Sequence, residues 1–507
     1  MKRSEINAKR FAMVAVVGFS AAVGVADCGS DVAVIPAPRT MTVGCGFCTN
    51  DDVRVETDAS VPPEGYRLSV RQDGVRIVSS DAAGRFYANE TLKQLKKPDG
   101  WPCVEIEDAP AFRWRGMHFD DCRHFFGKQT LKRTLDLMAR YKYNVLCWHL
   151  TEDQGWRIEV PGRPELVTYG SVRSQSPRHR ATWRKVDGKS VMDDMDETRY
   201  GPFYYTEREV KEIIAYAKER QIEIVPEIEM PGHINAALSA YPEYACRPGN
   251  LADRDPRCTW GQEEDVLCLG NPEALAFVDE VLAYVAKTFP AKYIVFWGEE
   301  CPAVRWESCP KCQALMKREG ISDPRRLLGW FTRRMVGVIE KLGKRAIGAD
   351  DCLVFGDAPK SLIGLYWRDF EPTVNGAQGV ELGHDMIMIP FQQTYFYLGQ
   401  GLSADVDPFQ YGSVGWSLTL AKTYGFDPAK GVREDLLPRV LGGMGCNWSE
   451  YTWNEYDLEW KMWPRGCAMA EVLWCGKHKP GFDDFKRRVA RHRVQLIREG
   501  VNCAPLE

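Results

Sequence analysis

Little in this 507-residue chain is one-sided. Lys and Arg number 66 against 70 Asp and Glu, a net charge of −4. With no basic surplus, nothing draws the chain electrostatically to nucleic acid or to an anionic membrane surface. Beyond residue 25 there is no apolar run long enough for a membrane span. No short period repeats, which argues against a solenoid. There is no H-E-x-x-H run, no phosphate-cradling glycine loop and no Ser-His-Asp arrangement. The chain therefore lacks the signatures of a zincin, a nucleotide hydrolase and a serine hydrolase.

What is present is ordinary globular material with an aromatic surplus. Hydrophobic residues make up 44% and charged residues 27%, as in a soluble enzyme. Sixteen Trp and twenty Tyr supply flat faces that suit the C–H surfaces of sugars, although most such residues in any protein are core. The first 26 residues read as an export signal: Lys2, Arg3, Lys9 and Arg10, then the apolar run from Phe11 to Val25, then a small-x-Ala site at Gly24-Val25-Ala26. Asp27 before Cys28 argues against a lipoprotein box. The expectation is an exported protein, periplasmic or extracellular, with no membrane span. Seventeen cysteines include two C-x-x-C runs, Cys45–Cys48 and Cys309–Cys312. Together these could hold zinc, but they lie far apart, and local disulfides or free thiols are the expectation. No metal and no cofactor is expected.

Residues 27–110 read as a small α/β domain, with strands at Tyr66–Val70 and Val75–Val78 around a turn at Asp73-Gly74 and a short helix from Phe86 to Leu95. Asp108 to Phe112 reads as a linker. From residue 111 to 480 strand and helix patterns alternate. The strand candidates are Gly116–Phe119, Asn144–His149, Glu223–Ile228, Tyr293–Phe296, Arg345–Ile347, Leu362–Trp367, Met386–Ile389 and Gly445–Trp448. Thr206-x-x-Glu209 predicts a capping box, and Leu131, Leu135 and Met138 recur at helical spacing. Eight such units predict a (β/α)8 TIM barrel behind the small domain. Residues 481–507 form a helical tail. Gly170 to Tyr205 is a long polar insertion, expected as a solvated loop.

Barrel chemistry sits at the carboxyl ends of the strands. Those ends carry Asp120 and Arg123; His149, Glu152 and Asp153; Glu227, Glu229 and His233; Glu299 and Glu300; Asp350 and Asp351; Trp367, Arg368 and Asp369; Tyr395 and Tyr397; Trp448 and Glu450. The run Tyr293 to Glu300 is the most telling, because an apolar strand delivers two adjacent carboxylates to its mouth. One acid of raised pKa beside one charged carboxylate is what glycosidic cleavage needs.

At these residues the chain resembles glycoside hydrolase family 20, the β-N-acetylhexosaminidases. The matching runs are Arg115 to Phe126, Trp148 to Arg157, Val225 to His233, Trp297-Gly-Glu-Glu300, Tyr395-Phe-Tyr397, Trp448-Ser-Glu450 and Trp463-Pro-Arg465. The resemblance implies exo-acting, retaining hydrolysis of terminal β-linked N-acetylhexosamine, in which the substrate's 2-acetamido carbonyl is the nucleophile. It implies that Glu300 is the general acid/base and that Glu299 stands where an aspartate orients the acetamido nitrogen. His233 would bond Glu300, with Glu152 behind it. Arg123 and Glu450 would bind hydroxyls, Trp367 and Trp448 would wall the acetamido pocket, and Tyr395 would donate to the acetamido oxygen. The partner is a glycan with a terminal amino sugar; no signal for an oligomeric state is visible.

The departures from the family pattern leave three readings open. Glutamate replaces aspartate at 299, Ala349-Asp350-Asp351 stands for Trp-Asp-Glu, and Tyr397 stands for a hydroxyl-binding acid. The acetamido pocket is rebuilt, with Trp297 filling space beside Ala349; or the enzyme takes a modified or non-acetamido sugar; or the chain binds glycans without cleaving them.

Overall fold

The computed structural model describes residues 32–178, 181, 183–186, 189–251, 255–402, 406 and 416–506; the expected export signal lies outside them. The first unit is a five-stranded sheet of β1 (Thr40–Cys48), β2 (Val53–Thr57), β3 (Tyr66–Arg71), β4 (Gly74–Ser79) and β5 (Trp101–Asp108), in the order β1-β5-β3-β4-β2. A helix, Ala82–Leu95, packs on it, capped by the Asp81 carboxylate accepting from the Gly84 amide. The strands β1, β2 and β5 were not visible as periodic patterns. Every residue of β2 is exposed, so it carries no alternation to read.

Eight parallel strands follow: β6 (Trp114–Asp120), β7 (Val145–Glu152), β8 (Glu223–Ile228), β9 (Tyr293–Trp297), β10 (Arg345–Ala349), β11 (Ile363–Tyr366), β12 (Met386–Met388) and β13 (Val440–Asn447). Each pairs with the next, β13 pairs with β6, and the cylinder is closed. The expected barrel is therefore present, and each expected strand lies on or within an observed one to within a residue or two, except the last. β13 begins five residues earlier than its pattern, because Gly442 and Gly443 break the apolar run. Both glycines are needed: a Cβ at Gly442 would stand 2.0 Å from the Trp114 carbonyl oxygen and one at Gly443 2.5 Å from that of Met388.

The predicted capping box is formed, with Thr206 and Glu209 bonding each other's backbone at the start of helix Glu207–Lys218. Leu131, Leu135 and Met138 are buried on helix Gly127–Arg140. Among the described residues no helix is long and apolar enough to cross a membrane.

Two sequence expectations are corrected. Asp108 is not in a free linker: its buried carboxylate accepts from Lys142 Nζ at 3.0 Å, Tyr66 Oη at 2.7 Å and Trp474 Nε1 at 2.9 Å. That bonding ties the small domain to the barrel, and a buried charge so paired is costly to break. The 170–205 insertion is not simply a solvated loop. Arg173 is buried, with its guanidinium 3.9 Å from the centre of the Tyr200 ring. A hairpin of Trp183–Val186 and Lys189–Met192 follows, and the Pro177 carbonyl accepts from Trp453 Nε1 at 3.1 Å.

Candidate active site

The carboxyl ends of the barrel strands enclose a cavity of about 230 Å³ lined by Arg123, His233, Glu299, Glu300, Trp367, Phe370, Phe391, Tyr395, Tyr397, Trp448 and Glu450. Glu299 and Glu300 thus open into one space with Arg123, His233 and Tyr395. A larger cavity, about 580 Å³, lies at the opposite mouth among Tyr293, Arg345 and Asn144, at strand beginnings. Barrel enzymes do not use that face for chemistry.

The backbone is strained where the acids emerge. Trp297, Gly298 and Glu300 have φ of 51°, 78° and 46°, and His233 has 49°. Non-glycine residues in the left-handed region are uncommon, and a cluster of them marks a site held by its surroundings. At the end of β9 the register with β10 slips between Val295 and Trp297, which turns the chain and aims the acids inward.

His233 joins the acids to the rest of the site. Its Nδ1 lies 2.7 Å from Glu152 Oε1 and its Nε2 3.5 Å from Glu300 Oε2. The second Glu152 oxygen is 3.2 Å from Arg123 Nη2. Arg123 also reaches Asp120 at 3.2 Å and faces Glu450 at 4.0 Å. Its guanidinium stands 5.0 Å from the Trp448 ring centre. Burial works against a charged His233, but the Glu152 charge and its hydrogen bond to Nδ1, with the Asp153 and Glu300 carboxylates 3.5 Å away, outweigh it, and the imidazolium is favoured.

The two acids titrate in opposite directions. Burial, with the charges of Asp351, Glu300 and Glu152, pushes the Glu299 carboxyl well above the usual value despite His233. Burial would raise Glu300 too, but the His233 imidazolium 3.5 Å away holds it below the usual carboxylate range. These directions favour the proton on Glu299 rather than on Glu300, the reverse of the arrangement that makes Glu300 the acid. Glu229, at the end of β8, is raised as well, by burial and then by Glu299.

Two expected contact residues lie elsewhere. Trp297 is fully buried and does not line the cavity; its ring packs 5.4 Å from Trp448 and 6.4 Å from His118, beneath the floor. Asp350 is buried outside the cavity, and its neighbour Asp351 makes the structural contacts. Asp351 accepts from the Glu300 amide at 3.3 Å, from Trp367 Nε1 at 3.2 Å and from Arg368 at 2.8 Å. Glu152 stands behind His233 rather than in the cavity wall. Phe370 and Phe391 were missed. Phe391 packs 5.1 Å from Tyr395 and Phe370 packs 5.7 Å from Trp367, completing an aromatic box that no acid or histidine signals in the sequence. Tyr451 was also missed; it stacks 6.4 Å from Tyr397 and joins a small apolar cluster with Ala181 and Met192 of the insertion.

The family model "Glycosyl hydrolase family 20, catalytic domain" matches residues 112–477, and "Glycosyl hydrolase family 20, domain 2" matches residues 40–109. The chain belongs to glycosyl hydrolase family 20. Its relatives in this family include a beta-hexosaminidase of Porphyromonas gingivalis, 36% identical over 462 residues, which cover 89% of this chain and 56% of that protein. A beta-hexosaminidase of Akkermansia muciniphila is 31% identical, over 89% of this chain and 88% of its own. This family 20 chain spans little more than half the length of the first of these. Among solved structures, a crystal structure of a beta-N-acetylhexosaminidase superposes with a TM-score of 0.81 at 28% identity, covering 93% of this chain and 96% of the other.

Proposed function

We propose that the chain is an exo-acting, retaining β-N-acetylhexosaminidase that removes terminal GlcNAc or GalNAc by substrate-assisted catalysis. The observation that carries this reading is the joint opening of Glu299 and Glu300 into one aromatic-walled cavity with Arg123 and His233. The family membership and the names of its relatives support it.

Glu300 protonates the glycosidic oxygen while the substrate's acetamido oxygen attacks the anomeric carbon. The sugar–oxygen bond breaks, and an oxazolinium ring forms. Glu299 accepts the acetamido N–H and balances the charge growing on that group. Water then opens the ring, giving up its proton to Glu300, and two inversions leave the configuration retained. Trp367, Trp448 and Tyr395 bound the acetamido side, and Arg123 with Glu450 takes hydroxyls through the guanidinium fork.

Burial raises the Glu299 carboxyl while His233 holds Glu300 low, so the free enzyme favours the proton on Glu299, the reverse of the reactive arrangement. An acetamido N–H arriving at Glu299 stabilises the carboxylate there, and the displaced proton is then held by Glu300. The substrate itself thereby arms the acid. A 2-hydroxy sugar has no such N–H and does not make the exchange.

A panel of aryl β-glycosides tests the reading. Cleavage of 2-acetamido sugars with a β-anomer as first product is expected; cleavage of 2-hydroxy sugars alone rejects it, and no turnover of any substrate leaves a glycan-binding protein. We also propose export, on the strength of the basic and apolar segments within residues 1–26. Amino-terminal sequencing of the mature protein should begin at Asp27.

A further inference from the structure

Four cysteines meet outside the glycan cavity, and no step above uses them. Cys246 and Cys268 flank an antiparallel bridge, Ala245–Leu267, in the connection that follows β8. Cys309 and Cys312 open the helix Pro310–Glu319 in the connection that follows β9. The sulfur of Cys312 is 3.7 Å from that of Cys246 and 3.8 Å from that of Cys268, and Cys268 is 3.7 Å from Cys309. All four sulfurs lie within 4.8 Å of one another. Three of the four residues are buried and Cys246 is half-buried.

These spacings discriminate between chemistries. A disulfide requires about 2.05 Å between sulfurs, little more than half of what is seen. Zinc bound by thiolates at about 2.3 Å in a tetrahedron separates neighbouring sulfurs by about 3.8 Å. These three separations match that edge. An all-thiolate set with no oxygen donor disfavours magnesium and calcium. The backbone is fitted to the cluster as well. A Cβ at Gly270 would stand 2.1 Å from the Lys311 carbonyl carbon and 2.4 Å from the Cys312 nitrogen, so the two connections interlock with no room for a side chain.

We propose that Cys246, Cys268, Cys309 and Cys312 bind one structural zinc ion in a closed tetrahedral site. The ion ties the connection carrying His233 to the connection carrying Glu299 and Glu300, and so braces the spacing between the histidine and its acid. With four protein ligands it has no open position for substrate or water. The C-x-x-C run at 309–312 takes its partners from the β8 connection. The other run is unrelated: Cys45 is in a disulfide, and Cys48 is a buried free thiol.

The test is metal analysis of full-length protein purified without chelator from zinc-replete cells. One zinc per chain is expected, released stoichiometrically by a mercurial thiol reagent. Cobalt(II) exchanged into the site should give the intense visible bands of a tetrahedral tetrathiolate. Cys309→Ser with Cys312→Ser should reduce the zinc content to near zero. If that variant does not fold, Cys246→His, which keeps a zinc ligand, should retain one zinc and alter the cobalt spectrum. Wild-type protein free of zinc, whether its four thiols are alkylated freely or peptide mapping finds disulfides among them, overturns the proposal, as does stoichiometric iron in place of zinc. None of these readouts depends on glycosidase activity.

Discussion

The carboxylate of Glu152 lies 2.7 Å from Nδ1 of His233, and the opposite nitrogen of that ring faces Glu300 at 3.5 Å. The pair decides where charge sits in the cavity. Glu152→Gln keeps the size of the side chain and removes its charge, so His233 loses its proton at lower pH. A charge-assisted hydrogen bond contributes about 1.5–3 kcal/mol, so kcat/KM should fall about 10- to 100-fold. Steady-state kinetics and a proton NMR titration of His233 check both halves; an unchanged histidine titration refutes the coupling.

Glu299 and Glu300 should divide the pH profile. The reactive complex needs one proton shared over the pair, so the acidic limb of kcat/KM should follow Glu300, held below the usual carboxylate range, and the basic limb should follow Glu299, raised well above it. In the substrate complex the acetamido N–H favours the carboxylate, so the acidic limb of kcat should lie at lower pH than that of kcat/KM. Glu300→Gln should cut kcat about 10²- to 10⁴-fold, most with poor leaving groups. Coincident limbs in kcat and kcat/KM would contradict the proton exchange.

Gly298 tests the strained turn. Its φ is 78°, and a Cβ there would stand 2.9 Å from Cys352 Sγ. Gly298→Ala should cost about 1–2 kcal/mol from the left-handed backbone. Because a displacement near 1 Å can cost about 10²-fold in rate, kcat should fall further than stability suggests. Gly343→Ala is the control: φ is 74°, nothing lies within 4 Å of its Cβ, and it sits at the far end of a helix. It should lose only the backbone part of that stability and keep kcat. Equal kcat in the two variants would show that the turn does not position the acids.

The barrel was legible because buried parallel strands read as apolar runs, and Tyr293 to Trp297 is such a run. It failed where packing demanded glycine, at Gly442 and Gly443. The acids, His233, Arg123 and the cavity aromatics were legible from their place at strand ends. Phe370 and Phe391 were not, since an aromatic in a loop carries no sign of the wall it completes. The proton arrangement was also hidden: it depends on how deeply Glu299 is buried and which oxygen His233 faces. Cys309 and Cys312 announced a pair, but their partners lie 41 or more residues away in sequence, and only the closed barrel brings them together.

Asp350 offers a test of stability that is separate from catalysis. Burial, and then the charge of Asp351, push its carboxyl up to about 7. In the unfolded chain an aspartate titrates near ~3.9. Between about pH 4 and 7 the folded chain therefore holds a proton that the unfolded chain has lost, so this group's contribution to stability falls as pH rises through that window and levels off above it. A separation of that size corresponds to about 4 kcal/mol, as an order of magnitude. Asn is a neutral copy of the protonated acid. Asp350→Asn should therefore gain stability relative to wild type as pH rises from 5 to 7, with the gap constant from 7 to 8. Asp121, also pushed up to about 7 by burial, is present in both proteins and cancels from the comparison. Urea unfolding at pH 5, 6, 7 and 8 measures the gap, and a gap that does not change with pH would mean that Asp350 is already ionised in the folded chain at pH 5.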